Sequence, residues 1–248
     1  MADSLGDRMK LYENVERKYL TRRMPTLIRL DGKSFHSFTS GFYRPFDGFF
    51  MSVMQETAKF LCENIQGCKL AYTQSDEITL LLTDYDNINT DAWFDKNVQK
   101  MCSVSASMAT LAFNKYFHRI REFKEVYQRK QFQAMFDSRV YNIPKEEVCN
   151  AFIWRQQDAT RNAIQMVGQF NFSHKQLQGK NCNQIQEMLF QEKEINFNDI
   201  PTQCKRGVCI VRETYFKDEI DKVERSRWLV DREIPVFTQD RNYIERYL

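Results

Sequence analysis

The sequence predicts an α+β fold: a ferredoxin-like antiparallel sheet with helices against one face, followed by a C-terminal α/β extension. Three observations lead there. Apolar residues switch between helical spacing and short β-prone runs; the switches follow the order β-α-β-β-α-β between about 26 and 141; and no Gly/Ser/Pro-rich linker or internal repeat divides the 248 residues. That order defines the split unit in which the first and third strands are central neighbours. One domain over 1–248 is expected, with 20–142 as its core and 143–248 as the extension.

A helix is expected first, over 7–20, with Met9, Leu11, Tyr12, Val15, Tyr19 and Leu20 on its apolar side. Pro25 ends it, and Thr26-Leu27-Ile28-Arg29-Leu30 reads as a buried strand closed by Asp31-Gly32. Helical spacing returns over 47–61 through Phe50, Met51, Met54, Ala58 and Leu61, with Asp47 placed as an N-cap. Two β-prone runs, 69–73 and 78–82, flank Gln74-Ser75-Asp76-Glu77 and so form a hairpin with acidic residues at its turn. Over 92–113, Phe94, Val98, Met101, Ser105, Met108 and Ala112 recur at steps of four and three, and small residues between them allow close approach to a sheet. A strand over 132–141 completes the unit. Beyond it a helix opened by Pro144 spans 144–168, a second spans 174–190, and strands lie at 207–213 and 226–237.

Composition removes several function classes. With 42% hydrophobic and 28% charged residues the chain is neither disordered nor low-complexity. No apolar run reaches the ~18 residues of a bilayer span, and the N-terminus lacks a basic stretch followed by an apolar one, so a cytoplasmic protein without membrane contact is expected. Seven cysteines, none in a CxxC pair, fit reduced thiols. The net charge of +3 means that nucleic acid must meet a local patch. The candidate is 115–130, where Lys and Arg alternate with Tyr116, Phe117, Phe123 and Tyr127; the competing reading is a solvated helix with its aromatics in the core.

The chemistry concentrates at two places. Asp31 ends the first strand and Asp76-Glu77 sit at the hairpin turn, so neighbouring first and third strands bring these carboxylates together. Side-by-side carboxylates repel, which favours a divalent cation between them. Oxygen-only ligands suit Mg²⁺, and two such ions about 3.5–4 Å apart would clamp the attacking and leaving oxygens of a phosphoryl transfer, a polymerase-type arrangement. Gly32 allows its carbonyl to reach a metal and lets phosphates approach the amides of Lys33, Ser34, Phe35 and His36. Against this, Asp-Gly and Ser-Asp-Glu are each common turn sequences. His36, His118 and His174 are too few and too scattered for a metal cluster or a hydrolytic triad.

The run 29–38 (RLDGKSFHSF) resembles the RLDGRxFHxF segment of the tRNA(His) guanylyltransferase family. The run 71–77 (AYTQSDE) resembles its AYxQSDE, 136–140 (FDSRV) its FDxRV, and 154–158 (WRQQD) its WRQxD. The resemblance implies a polymerase palm that adds nucleotides to the 5′ end of tRNA in the 3′-to-5′ direction with two Mg²⁺ ions. It makes Asp31, Asp76 and the Gly32 carbonyl the expected metal ligands, with Glu77 beside them. Lys33, Ser34, Phe35, His36 and Ser75, with Asp31, Gly32, Asp76 and Asn162, become the expected nucleotide-binding residues, and Arg139 a triphosphate contact. Arg44 and Asp47 are candidates for 5′ activation, Arg44 standing where the family segment has Lys; the alternative for Asp47 is the plain N-cap.

One segment departs from the pattern. Where tRNA(His)-specific members carry His-Ile-Asn-Asn, this chain reads Thr160-Arg161-Asn162-Ala163, and only Asn162 is kept in place. The chain is thereby more similar to the guanylyltransferase-like branch, which implies templated repair of 5′-truncated tRNA. ATP and GTP or another NTP are the implied substrates, and a dimer of dimers the implied assembly. The alternatives are a tRNA(His)-specific enzyme, a non-catalytic RNA- or nucleotide-binding protein, and a nucleotide cyclase on the same palm.

Overall fold

The computed structural model describes residues 4–119, 125–216 and 224–248. The strands are β1 (Thr26–Gly32), β2 (Cys68–Gln74), β3 (Glu77–Leu82), β4 (Phe136–Asn142), β5 (Val208–Phe216) and β6 (Glu224–Asp231). The helices are α1 (Leu5–Val15), α2 (Phe35–Phe38), α3 (Gly48–Asn64), α4 (Val98–His118), α5 (Glu125–Arg129), α6 (Lys145–Asn171), α7 (His174–Leu177), α8 (Cys182–Lys193), α9 (Thr202–Arg206) and α10 (Asn242–Glu245). The strands form one antiparallel sheet in the order β4-β1-β3-β2-β5-β6. The expected α+β order is present, β1 and β3 are neighbours, and β5 and β6 extend the sheet at the β2 edge.

The sheet is covered on both faces, where helices on one face were expected. Ile28, Leu30, Ile78 and Leu80 pack against α3 and α4, with Met54, Leu61, Phe113 and Phe117 among the contacts. Leu27, Leu70, Tyr72 and Leu81 pack against Val148, Cys149 and Phe152 of α6 and against Ile234, Phe237 and Ile244 near the C-terminus. All six residues of β3 are buried, as a strand between two covered faces requires. The run 78–82, apolar except for Thr79, carried that signal.

Several boundaries shift for local reasons. The helix expected from 92 begins at Val98, because Phe94, Asp95 and Lys96 take left-handed φ values of 47°, 53° and 59°, and the Asn97 side chain caps α4 by accepting from the Lys100 N–H (3.0 Å). In that turn Lys96 is buried; its Nζ reaches Asp84 (3.0 Å), the Met24 carbonyl (2.7 Å) and the Thr26 hydroxyl (3.1 Å), fastening the start of β1 to the chain just after β3. Strand β4 starts at Phe136 because Phe132 is left-handed and exposed. The helix expected over 174–190 is split by Gly179, at φ 74°, into α7 and α8, the latter opened by an Asn181/Gln184 capping box. The last strand stops at Asp231, leaving Ile234 and Phe237 as buried loop residues. The helix expected over 7–20 ends at Val15 and none of its residues is buried, so Met9, Leu11, Tyr12 and Val15 stay exposed, while Tyr19 bridges Asn97 and the Leu20 amide donates to the Lys96 carbonyl (3.0 Å).

The aromatics of 115–130 belong mainly to the core. Phe117 and Tyr127 are fully buried, and Tyr127 donates a hydrogen bond to Asp47 (2.6 Å). Phe123 lies outside the described residues. The stacking role expected for this stretch is therefore not available to Phe117 or Tyr127. No helix of the described residues is long and apolar enough to cross a membrane.

Candidate active site

The site is built at one end of the central strands. Asp31 stands opposite Glu77 of β3 on one side and Asp137 of β4 on the other, so the three project from the same face of the sheet. The Gly32 amide donates to the Asp76 carbonyl (3.1 Å), tying the end of β1 to the β2–β3 turn. In that turn Ser75 adopts a left-handed φ of 50°, the Thr73 hydroxyl donates to the Glu77 carbonyl (2.8 Å), and the Ser75 hydroxyl donates to the Asp76 carboxylate (3.1 Å).

The acidic residues here fall into two electrostatic classes. Glu77 is 6% exposed and compensated: Arg155 Nε bonds its Oε1 at 2.7 Å, and Arg29 Nε lies 3.6 Å from Oε2. Burial raises the Glu77 carboxyl, and the Arg155 and Arg29 guanidiniums pull it partly back. Asp31 and Asp76 are half-buried, and among the described residues neither makes an ion pair with Lys or Arg. Burial raises the Asp76 carboxyl above its ordinary range, and the nearby charge of Asp31 adds to the effect. Two uncompensated carboxylates at touching strand ends, with the Gly32 backbone between them and the turn, are a donor set that fits a hard divalent cation. The fit is of two carboxylates; no group of three or more His, Cys, Asp or Glu side chains gathers among the described residues.

Beside this pair opens a cavity of about 280 Å³ lined by Phe35, His36, Arg44, Asp47, Ser75 and Asp76, among others. A second cavity of about 90 Å³ shares Asp47 and Ser75 with it and adds Asn162 from α6. Six of the expected nucleotide-binding residues thus line the first cavity, and Asn162 lines the second. Lys33 and Ser34 are exposed in the turn after β1, where the Lys33 amide bonds the Met135 carbonyl (2.9 Å) and Ser34 sits at φ 57°. Arg139, across from Arg29 on β4, is half-exposed and 3.6 Å from Asp137.

Two of these residues have structural duties the sequence understated. The ring of Phe35 is 3% exposed and packs on Phe38, Phe50, Phe113 and Phe136 with centroids 4.9–6.0 Å apart. Asp47 is the N-cap of α3: its carboxylate accepts from the Phe50 amide (2.8 Å), the Tyr43 amide (2.9 Å) and the Tyr127 hydroxyl (2.6 Å), which fixes the loop carrying Arg44. Gly32 is required by packing as well: a Cβ there would lie 2.3 Å from the Phe35 ring. Gly32→Ala is expected to cost about 1–3 kcal/mol, because the ring is locked in an aromatic cluster, and to lower activity through the displaced Asp31. A thermal melt at the wild-type temperature would contradict this.

Sequence reasoning missed the residues that carry Glu77. Arg155 is 7% exposed and also bonds Asp158 (2.8 Å); Gln156 beside it donates to the Pro235 carbonyl and accepts from the Phe237 amide, each at 2.9 Å. The indole of Trp154 lies against both arginines, with Arg155 Cζ 4.3 Å and Arg29 Cζ 5.6 Å from its ring centroid. A lone Arg29 inside an otherwise apolar strand was the available signal, since a buried cation demands a partner.

Known proteins share this fold. The family model described as tRNAHis guanylyltransferase matches residues 6–144. A solved bacterial tRNA(His) guanylyltransferase (Thg1)-like protein in complex with ATP is 48% identical, with a TM-score of 0.88 over 98% of both chains. Another bacterial tRNA(His) guanylyltransferase (Thg1)-like protein, in complex with GTP, is 45% identical, with a TM-score of 0.83 over 99% of both. The tRNA(His) guanylyltransferase of Debaryomyces hansenii is 28% identical over 91% of this chain and 86% of its own. With more than half the chain matched by the family model, and the strand-end carboxylates and their arginine support lying within the fold shared with these proteins, the protein is a nucleotidyltransferase that belongs to the tRNA(His) guanylyltransferase family.

Proposed function

We propose that the protein adds nucleotides to the 5′ end of tRNA in the 3′-to-5′ direction, in a Mg²⁺-dependent reaction that repairs 5′-truncated tRNA by copying the opposite strand. The observation that supports this reading is the electrostatic sorting at the strand ends: Glu77 is neutralised by arginines, while Asp31 and Asp76 form no ion pair with a cationic side chain among the described residues. ATP and GTP are the proposed triphosphates, by analogy with the two bacterial neighbours solved with them. Asp31, Asp76 and the Gly32 carbonyl would hold the metal ions. Bound there, divalent cations would lower the pKa of the attacking hydroxyl and neutralise charge on the leaving phosphate.

The remaining work falls to the chain's own groups. The RNA arrives with an activated 5′ phosphate, and the 3′-hydroxyl oxygen of the incoming nucleotide attacks its phosphorus. A new P–O bond forms, the bond to pyrophosphate or AMP breaks, and the hydroxyl proton passes to solvent. Arg139 and Lys33, both exposed around the carboxylate pair, can pair with the triphosphate, and His36, Arg44 and Ser75 line the cavity that receives a nucleotide. Asp47 acts through the loop it caps, keeping Arg44 in the cavity wall. The Thr160-Arg161-Asn162-Ala163 stretch favours templated choice of nucleotide over recognition of one tRNA, since base pairing can select the nucleotide without a dedicated pocket.

The test is incubation with ATP, GTP and labelled NTPs on a tRNA lacking its first nucleotide, with the opposing base varied. Extension by the complement of whichever base stands opposite is expected. Addition of G alone, and only to a histidine tRNA, would give the maturation reading instead. RNA binding without extension, or a cyclic product formed without RNA, would overturn both.

A further inference from the structure

We propose that Trp154 is an open stacking platform for the terminal base pair of the RNA end on which the protein acts. The inference rests on the function proposed above and adds to it a place for the RNA. Trp154 is 53% exposed, although its neighbours on α6, Phe152 and Arg155, are buried. An indole left in water forfeits much apolar burial, so an exposed one beside a reaction centre marks an interaction surface.

Its surroundings match a stacked base flanked by phosphate. The ring lies against Arg155, which is itself fixed by Glu77 (2.7 Å) and Asp158 (2.8 Å), so the platform is held by the strand ends that carry the carboxylates. Arg29 lies near the same ring, and its Nε is buried without a hydrogen-bond partner among the described residues, 3.6 Å from Glu77. Arg139 stands across from Arg29 on β4, and Asp31 follows two residues after Arg29. An aromatic face bordered by guanidiniums is the combination that holds nucleic-acid ends, through stacking that tolerates any base and through phosphate pairing.

The RNA end suits this surface better than a free nucleotide. Trp154 lines neither of the two cavities that hold His36, Arg44, Ser75, Asp76 and Asn162, where a nucleotide can be enclosed. A duplex end is wide and flat and needs an open face. Asp31, two residues after Arg29 and near Asp76 of the first cavity, then stands where an activated 5′ phosphate and a nucleotide hydroxyl can meet.

The experiment uses the full chain with a 5′-triphosphorylated tRNA lacking its first nucleotide, which bypasses activation. Trp154→Ala is expected to raise KM for the RNA roughly 5- to 150-fold, the span of one lost base–aromatic stack, while kcat and the KM for GTP stay within about twofold. Trp154→Phe keeps a stacking face and restores most of the affinity. RNA should also quench the indole emission of the wild type, and Trp154→Phe should lose that quenching while Trp93 and Trp228 still emit. An unchanged RNA KM in Trp154→Ala, or a raised GTP KM in its place, overturns the proposal. If the wild type binds RNA with quenching but never extends it, stacking stands and the proposed reaction falls.

Discussion

Asp76→Ala is expected to abolish nucleotide addition, by roughly 10³-fold or more, while leaving RNA affinity nearly unchanged; the loss corresponds to several kcal/mol of transition-state charge stabilisation. Among the described residues the side chain accepts from the neighbouring Ser75 hydroxyl and from its own backbone amide and makes no ion pair, so its removal breaks little structure. Its burial beside Asp31 is in fact unfavourable for the ionised form. A group that costs the free protein something and stabilises it little is retained for what it binds. Single-turnover extension of a triphosphorylated RNA and a filter-binding isotherm on the same preparation separate the two effects. Addition at a tenth of the wild-type rate or better would remove Asp76 from the reaction.

Arg155→Ala is expected to act through stability first. It leaves Glu77 buried with only a long contact from the Thr79 hydroxyl (3.5 Å) and Arg29 Nε at 3.6 Å among the described residues, and it removes the guanidinium that also holds Asp158. Breaking a buried pair from one side typically costs about 3–5 kcal/mol, which in a chain of this size lowers Tm by about 10 °C. The double variant Glu77→Leu with Arg155→Met removes both charges and should recover most of that stability. Activity should not recover with it, because the Glu77–Arg155 pair fixes the strand end next to Asp76 and opposite Asp31. Full activity in the restored double variant would show the pair to be structural only.

Much of this was legible in the sequence, and the rest was hidden for physical reasons. The strand order and the meeting of 31 with 76–77 followed from period-2 and period-3.6 patterning, because register at a hairpin turn leaves little freedom. The second covered face was signalled by the run 78–82, apolar except for Thr79, yet needed α6, more than sixty residues away, to be seen. The left-handed turn at 94–96 was hidden because Phe94 continues a helical spacing that the backbone does not follow. Asp47 satisfied an N-cap pattern and a family pattern at once, and the structure shows the capping contacts directly. Arg155 and Trp154 carried no local signature of their partners, since ion pairs between Glu77 and a helix 78 residues later are tertiary facts.

The central claim, that Asp31 and Asp76 together hold divalent cations while Glu77 does not, is tested most directly by Mn²⁺ binding followed by electron paramagnetic resonance. The quantity is the metal held by the protein–GTP complex beyond that held by GTP alone. Loss of this binding in Asp31→Asn and in Asp76→Asn, with binding retained in Glu77→Gln, is the predicted result. Wild-type Mn²⁺ affinity in both aspartate variants would contradict the account.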